Sequence, residues 1–115
     1  TISSSKLYDL AGTEINLGDL CDDGSQMRPH IVWFGEPVPM IEKAVDIVQE
    51  SDYFIIIGTS LMVYPASGLI DYVRDNVKKF YIDPEASSNL CRNDIELISN
   101  RASSGVKSLV KRLME

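Results

Sequence analysis

The chain is short of the residues that metal and disulfide chemistry need: 115 residues hold two cysteines and a single histidine. Cys21 and Cys91 lie far apart and no C-x-x-C pair occurs, so a disulfide framework is excluded. Even with His30 they do not complete a four-ligand zinc site without a carboxylate, so no metal is expected. Both cysteines are read as free thiols in a reducing, cytoplasmic setting. Basic residues are outnumbered, 11 Lys and Arg against 17 Asp and Glu, giving a net charge of -6. An acidic surface repels phosphate backbones, so nucleic acid is not an expected partner. Long apolar runs are missing too: none approaches the ~18 residues of a membrane span. No basic, apolar and small-residue succession marks a signal peptide. The first residue is Thr1, not Met, so the chain is expected to be processed, trimmed or a fragment. Neither G-x-G-x-x-G nor a P-loop is present, which removes the two most specific nucleotide motifs.

What remains is ordinary material for a folded domain. Hydrophobic residues make up 44% and charged residues 24%, which suits one globular core and argues against disorder. Thr1 to Met27 is polar and turn-rich. Leu7-Tyr8-Asp9-Leu10 and Glu14-Ile15-Asn16-Leu17 alternate apolar and polar residues, predicting a short hairpin or two loose strands. Asp22-Asp23-Gly24-Ser25 predicts a turn.

Three continuous apolar runs follow, each closed by a turn residue: Ile31-Val32-Trp33-Phe34 before Gly35, Tyr53-Phe54-Ile55-Ile56-Ile57 before Gly58, and Phe80-Tyr81-Ile82 before Asp83-Pro84. Such runs suit strands buried on both faces of a parallel sheet. On that reading at least one of Trp33 and Phe34 is core. Ile41, Ala44, Val45 and Val48 recur at helical spacing after Pro39, and Ala66, Leu69, Ile70 and Val73 do so after Pro65. Val106, Leu109, Val110 and Leu113 form a last apolar stripe, with Ser103 or Ser104 as N-cap. The strand starts lie roughly 25 residues apart, the length of a strand-helix-strand unit. The reading is β-α-β-α-β, then an irregular stretch, then a C-terminal helix: an α/β, Rossmann-like parallel sheet.

In open parallel sheets ligands bind beyond the carboxyl ends of the strands. Gly35 and Glu36, then Gly58, Thr59 and Ser60, then Asp83 stand there. Glycine lets a ligand approach the backbone, and free N–H groups with hydroxyls suit phosphate or ribose oxygens. The same Gly-Thr-Ser also suits an ordinary turn. Asp83 is either an acceptor for ribose hydroxyls or the first residue of an Asp-Pro turn. Glu36 has no companion carboxylate or base and reads as structural. His30, beside Pro29, reads as a structural histidine rather than a general base.

Met27-Arg28-Pro29-His30-Ile31-Val32-Trp33-Phe34-Gly35-Glu36 resembles the sirtuin signature RP-x-V-V-x-F-G-E, and Ile57-Gly58-Thr59-Ser60-Leu61-Met62-Val63-Tyr64-Pro65-Ala66 resembles the sirtuin G-T-S-x-x-V-x-P-A. The two stand in the family's order, near its spacing, and the resemblance runs from about Gly18 to the end. It implies the C-terminal half of a bacterial-type, NAD-dependent protein-lysine deacylase. Such an enzyme transfers the acyl group of a modified lysine to ADP-ribose and releases nicotinamide. Residues 1–27 are then a zinc-less remnant of the small domain, and 28–115 the C-terminal part of the NAD-binding domain. Val32, Phe34, Gly35 and Glu36 match the loop that lines the acyl-lysine tunnel, and Met62 and Val63 the facing segment, with the substrate peptide added as a strand between them. Gly58, Thr59 and Ser60 match positions that hold NAD. Asp83 stands where the family usually has an Asn at the adenosine ribose, and Ala102 falls in the segment that borders adenine.

The resemblance also implies what is absent. The family's glycine-rich loop, its Gln-Asn-x-Asp motif and its catalytic histidine precede the region matched here, so no catalytic residue is expected in this chain. Activity is expected to need the N-terminal half. A non-catalytic nucleotide or ADP-ribose binding module, an interaction domain that keeps only the peptide-pairing edge, and a protein ADP-ribosyltransferase remain as other readings.

Overall fold

A computed structural model describes residues 6–9, 12–86 and 92–115. The chain divides into two compact units, Thr1–Pro37 and Val38–Glu115.

The first unit is built from turns. Its described residues contain no strand in the place of the expected hairpin, of which Leu10 and Ala11 lie outside the described residues. The order comes instead from the predicted turn at Asp22-Asp23-Gly24-Ser25. Leu20 and Gln26 form an antiparallel bridge across it, and Cys21 N–H donates to the Ser25 carbonyl at 2.8 Å. Gln26 organises the neighbouring turn. Its Oε1 accepts from Gly18 N at 2.8 Å, while Nε2 reaches the Asn16, Asp19 and Met27 carbonyls at 2.9, 3.2 and 3.1 Å. The alternation at 7–17 carried too little burial to fix a sheet: Leu7 and Leu17 are 66% and 97% exposed.

The run Ile31-Val32-Trp33-Phe34 is not a buried strand. All four residues are exposed, including both Trp33 and Phe34, so neither is core. The backbone bonds here are local, Ile31 N to Pro29 O at 2.9 Å and Glu36 N to Trp33 O at 3.1 Å. With no partner strand among the described residues, apolar composition alone does not make a sheet.

The second unit holds the sheet. Helix α1 (Ile41–Gln49) starts at Ile41, two residues after Pro39, and turns Val48 into a cluster with Val73 and Val77. Glu42 in its first turn complements the helix dipole. Strand β1 (Tyr53–Ile57) pairs in parallel with β2 (Lys78–Ile82), and β2 with β3 (Ile95–Ile98). The sheet order is β1-β2-β3. The predicted helix after Pro65 is a 3₁₀ helix, Ala66–Tyr72. Seven residues that include Gly68 are too few for cooperative α-helix formation. Strand β3 lies in the stretch expected to be irregular.

Phe54, Ile56, Ile70, Tyr81 and Ile95 make the core on the 3₁₀ side of the sheet, while Phe80, Ile82 and Ile98 pack against helix α2 (Ala102–Met114) on the other. Helix α2 begins earlier than expected. Arg101 is its N-cap, with no side-chain cap, and Ser103 and Ser104 lie inside the first turn. Ser104 Oγ donates back to the Arg101 carbonyl at 3.1 Å. The early start places Gly105 against Ile82, which decides where the helix sits.

Candidate functional site

The carboxyl ends of β1, β2 and β3 are stitched together residue by residue. Gly58 N–H donates to the Ile82 carbonyl at 3.0 Å, and Asp83 N–H donates to the Ile98 carbonyl at 3.2 Å. With strands about 4.8 Å apart, the exits of all three fall within roughly 10 Å. Gly58, Asp83 and the loop into α2 therefore share one edge, and Ala102 opens the helix there. Of the residues expected to hold NAD, Gly58, Thr59, Ser60, Asp83 and Ala102 all belong to this edge or the turn beside it.

The turn after β1 is firmly held. Gly58 has φ +59 and Leu61 φ +56. For a leucine that left-handed conformation costs about 1–3 kcal/mol and persists only where the surroundings over-determine it. Here Leu61 packs against the Ile56, Ile70 and Tyr81 cluster. Leu61 N–H donates to Thr59 Oγ1 at 3.2 Å, and the buried Tyr81 hydroxyl donates to the Thr59 carbonyl at 2.7 Å. Burial, followed by the charges of Asp83 and Glu85, raises the Tyr81 pKa above its ordinary value, so the phenol keeps the proton it donates. Nothing lies within 4 Å of where a Gly58 Cβ would project, so a ligand can approach the backbone there. An exposed turn with open space over a glycine, hydroxyls at Thr59 and Ser60, and a carboxylate beside it fits a nucleotide's ribose and phosphate groups. Sequence alone gave no sign of Tyr81 as the residue that ties down this turn.

Met62 and Val63, expected to meet substrate, are 81% and 53% exposed. Val63 and Thr59 also line an open apolar hollow of about 270 Å³ with Ile55, Ile57, Leu61 and Ile70, along the outer side of β1.

In the first unit, Val32 and Phe34 are 46% and 94% exposed, and Gly35 turns the chain with φ +88. The Glu36 carboxylate faces back into its own loop. It accepts from Trp33 N–H at 3.1 Å and pairs with Arg28 at 3.0 Å. The Trp33 N–H bond, then Arg28, holds its pKa below the ordinary 4.5. Stability tied to a depressed carboxylate is present above the unfolded value and lost as pH falls through the folded one. Acidification from pH 6 to below 4 is therefore expected to loosen this loop, read as a change in the Trp33 fluorescence spectrum. Glu36→Gln should show that spectrum already at pH 6; a loop signal flat with pH would contradict this role. His30 is exposed in the same loop. Among the described residues no three His, Cys, Asp or Glu side chains gather as a metal would require, and Cys91 lies outside those residues. Nor is any described helix long and apolar enough to cross a membrane.

Comparison with known proteins points to one family. The model of the Sir2 family matches residues 4–65. An NAD-dependent protein deacylase of Bacteroides thetaiotaomicron is 46% identical over 101 residues, which is 88% of this chain and 43% of the relative. A Sir2 homologue solved as an NAD complex superposes with a TM-score of 0.69 at 31% identity, over 83% of this chain and 38% of that one. Sir2Tm bound to a propionylated peptide superposes with a TM-score of 0.62 at 26% identity, over 84% and 42%. The chain thus spans less than half the length of the relatives it matches.

Proposed function

The chain belongs to the Sir2 family, and from that premise we propose that it is part of an NAD-dependent protein-lysine deacylase, supplying nucleotide and substrate contacts but no general base. The observation that carries the reading is the shared edge where Gly58, Asp83 and the start of α2 stand side by side. The dinucleotide would supply the ADP-ribose that accepts the acyl group. Gly58, Thr59 and Ser60 would receive ribose and phosphate oxygens on the backbone and hydroxyls of their fixed turn. Asp83 would accept from the adenosine ribose, and Ala102 would border the adenine. Val32, Phe34, Gly35 and Glu36 would meet the acyl-lysine substrate, with Glu36 acting through the shape it gives the loop. Met62 and Val63 would offer exposed apolar contacts to the same substrate class. Residues 1–27 would be a zinc-less small-domain remnant held by the Gln26 hydrogen bonds. A cytoplasmic setting suits free thiols, and acyl transfer would need a polypeptide carrying the remainder of a Sir2 protein.

Calorimetry with ADP-ribose and with an acyl-lysine peptide tests this reading. Binding of both supports it. Nucleotide binding alone replaces it with a non-catalytic nucleotide module, and peptide binding alone with an interaction domain. Tyr81→Phe removes the bond to the Thr59 carbonyl, a net contribution of about 1 kcal/mol. It should weaken ADP-ribose binding roughly fivefold while leaving the far-ultraviolet circular dichroism unchanged. An unchanged affinity would show that the Tyr81 bond does not position the turn.

A further inference from the structure

We propose that Gln26 is a positioning residue for the acyl-lysine substrate, acting through the loop of residues 32–36, whose shape it sets from outside. The inference rests on the reading of that loop as a substrate contact and adds the group that holds it.

Apolar packing does little for the first unit: none of its described residues is buried. Its turns are fixed by hydrogen bonds, and one side chain makes four of them. The Gln26 amide offers one carbonyl oxygen and two N–H donors. Oε1 takes the N–H of Gly18, where the backbone turns with φ +98, and Nε2 meets the carbonyls of Asn16, Asp19 and Met27. The reverse orientation would set Oε1 against three carbonyls, so the amide has one way to lie.

The bond to the Met27 carbonyl leads outward from this turn. Met27 N–H donates to the Asp19 carbonyl at 2.8 Å, so both backbone groups of Met27 are tied to the turn, one directly and one through Gln26. Arg28 comes next in the chain, with its guanidinium 3.0 Å from the Glu36 carboxylate. Glu36 in turn accepts from Trp33 N–H, and its own N–H closes on the Trp33 carbonyl, both at 3.1 Å. An unbroken path therefore runs from Gln26 through Met27, Arg28 and Glu36 to the loop that carries Val32 and Phe34. Those two side chains are 46% and 94% exposed, so the loop takes its shape from where Arg28 stands rather than from packing of its own. Such a path couples its ends only if disturbing one moves the other, which is what the experiment reads.

The test measures binding of an acetyl-lysine peptide and of ADP-ribose by the isotopically labelled 115-residue chain and two variants. Trp33, the one tryptophan, reports on the loop. Gln26→Leu removes all four bonds. Gln26→Glu keeps an acceptor for Gly18 N–H and loses the Nε2 donors. Both variants are expected to weaken peptide binding about fivefold and to change the Trp33 emission spectrum, with ADP-ribose binding unchanged. The amide signals of Cys21 and Gly24, whose bonds to the Ser25 and Cys21 carbonyls do not use the Gln26 side chain, should remain those of an ordered turn. If these signals collapse to random-coil positions in both variants, Gln26 only folds the unit and the positioning role is overturned. Peptide affinity and Trp33 emission untouched in both variants, or changed in Gln26→Leu alone, overturn it while leaving the substrate loop standing. If the parent chain binds no acetyl-lysine peptide, the loop is not a substrate contact and the assignment falls with it.

Discussion

Mixed with NAD and an acyl-lysine peptide, the 115-residue chain is expected to give no acyl transfer, and adding a polypeptide that carries the remainder of a Sir2 relative should bring turnover up by at least about a thousandfold. A positioned general base is worth roughly 10²–10⁴ in rate. The chain's single histidine cannot be that base: His30 is exposed in the Arg28–Glu36 loop, inside the segment that matches the RP-x-V-V signature. The sheet gives the second reason. Register places Ile55 beside Phe80 and Ile57 beside Ile82, on one face. Helix α2 covers Phe80 and Ile82, yet Tyr53, Ile55 and Ile57 remain 47%, 39% and 44% exposed. Parallel sheets are almost always covered on both faces, and among the described residues β1 ends the sheet with no strand on its outer side. An apolar strand laid along β1 would fill the hollow beside it and extend the site past Gly58. Ile55→Lys puts a charge on that bare face at a residue outside the buried clusters, and should abolish the gain from the added polypeptide. Turnover by the chain alone would refute the expectation. Turnover insensitive to Ile55→Lys would place the added polypeptide elsewhere.

The second large effect is at Gly105. It lies buried in the first turn of α2, where an added Cβ would come 2.6 Å from Ile82 Cγ2 and 3.4 Å from Asn100 Cβ. Ile82 is fully buried and β-branched, so it has no room to turn aside. On helix propensity alone Gly105→Ala would stabilise by about 1 kcal/mol. Overpacking of a tight core costs about 1–3 kcal/mol, so the clash should win and the melting temperature fall by several degrees. Gly105→Val adds a second branch and the lower propensity of valine, and should cost about 3 kcal/mol or more, enough to threaten folding of a marginally stable chain. Ser103→Ala, exposed in the same turn, is the control and should change stability by less than about 0.5 kcal/mol. Thermal melts of the three variants decide the matter, and a Gly105→Ala chain more stable than the parent would show that α2 can shift freely. Because Ile82 precedes Asp83, any shift of α2 should also weaken ADP-ribose binding at the neighbouring edge.

Several elements were legible because local pattern and final environment agree. The helical stripes of α1 and α2 and the runs in β1 and β2 report which residues seek burial; Val48, Ile56, Phe80, Tyr81, Ile82 and Leu109 find it, while Tyr53, Ile55 and Ile57 do not. The two signature segments were equally plain. The run at 31–34 is as continuously apolar as β1 but finds no strand to pair with among the described residues, so its apolar side chains stay exposed. Strand β3 went unseen for the opposite reason. It is four residues long, has Glu96 among its apolar residues, and is flanked by turn-forming Asn93-Asp94 and Ser99-Asn100. Its pairing with β2 through Lys79, Phe80, Tyr81 and Ile82 makes it a strand. Lys79 is similar. Its sequence gives a surface lysine, yet it is 4% exposed and paired with Asp94 at 3.2 Å.

By itself, then, the order of residues determined the family, the parallel α/β character of the second unit, and which turns carry glycine, hydroxyl and carboxylate. Only the tertiary structure decided that Gly58, Asp83 and Ala102 share one edge, that Tyr81 ties the turn between them, and that Gly105 must lack a side chain. The physical reason is range. Periodicity and turn chemistry act over a few residues and are written locally, whereas the bonds from Gly58 to Ile82 and from Asp83 to Ile98 join segments that meet only once the sheet has formed.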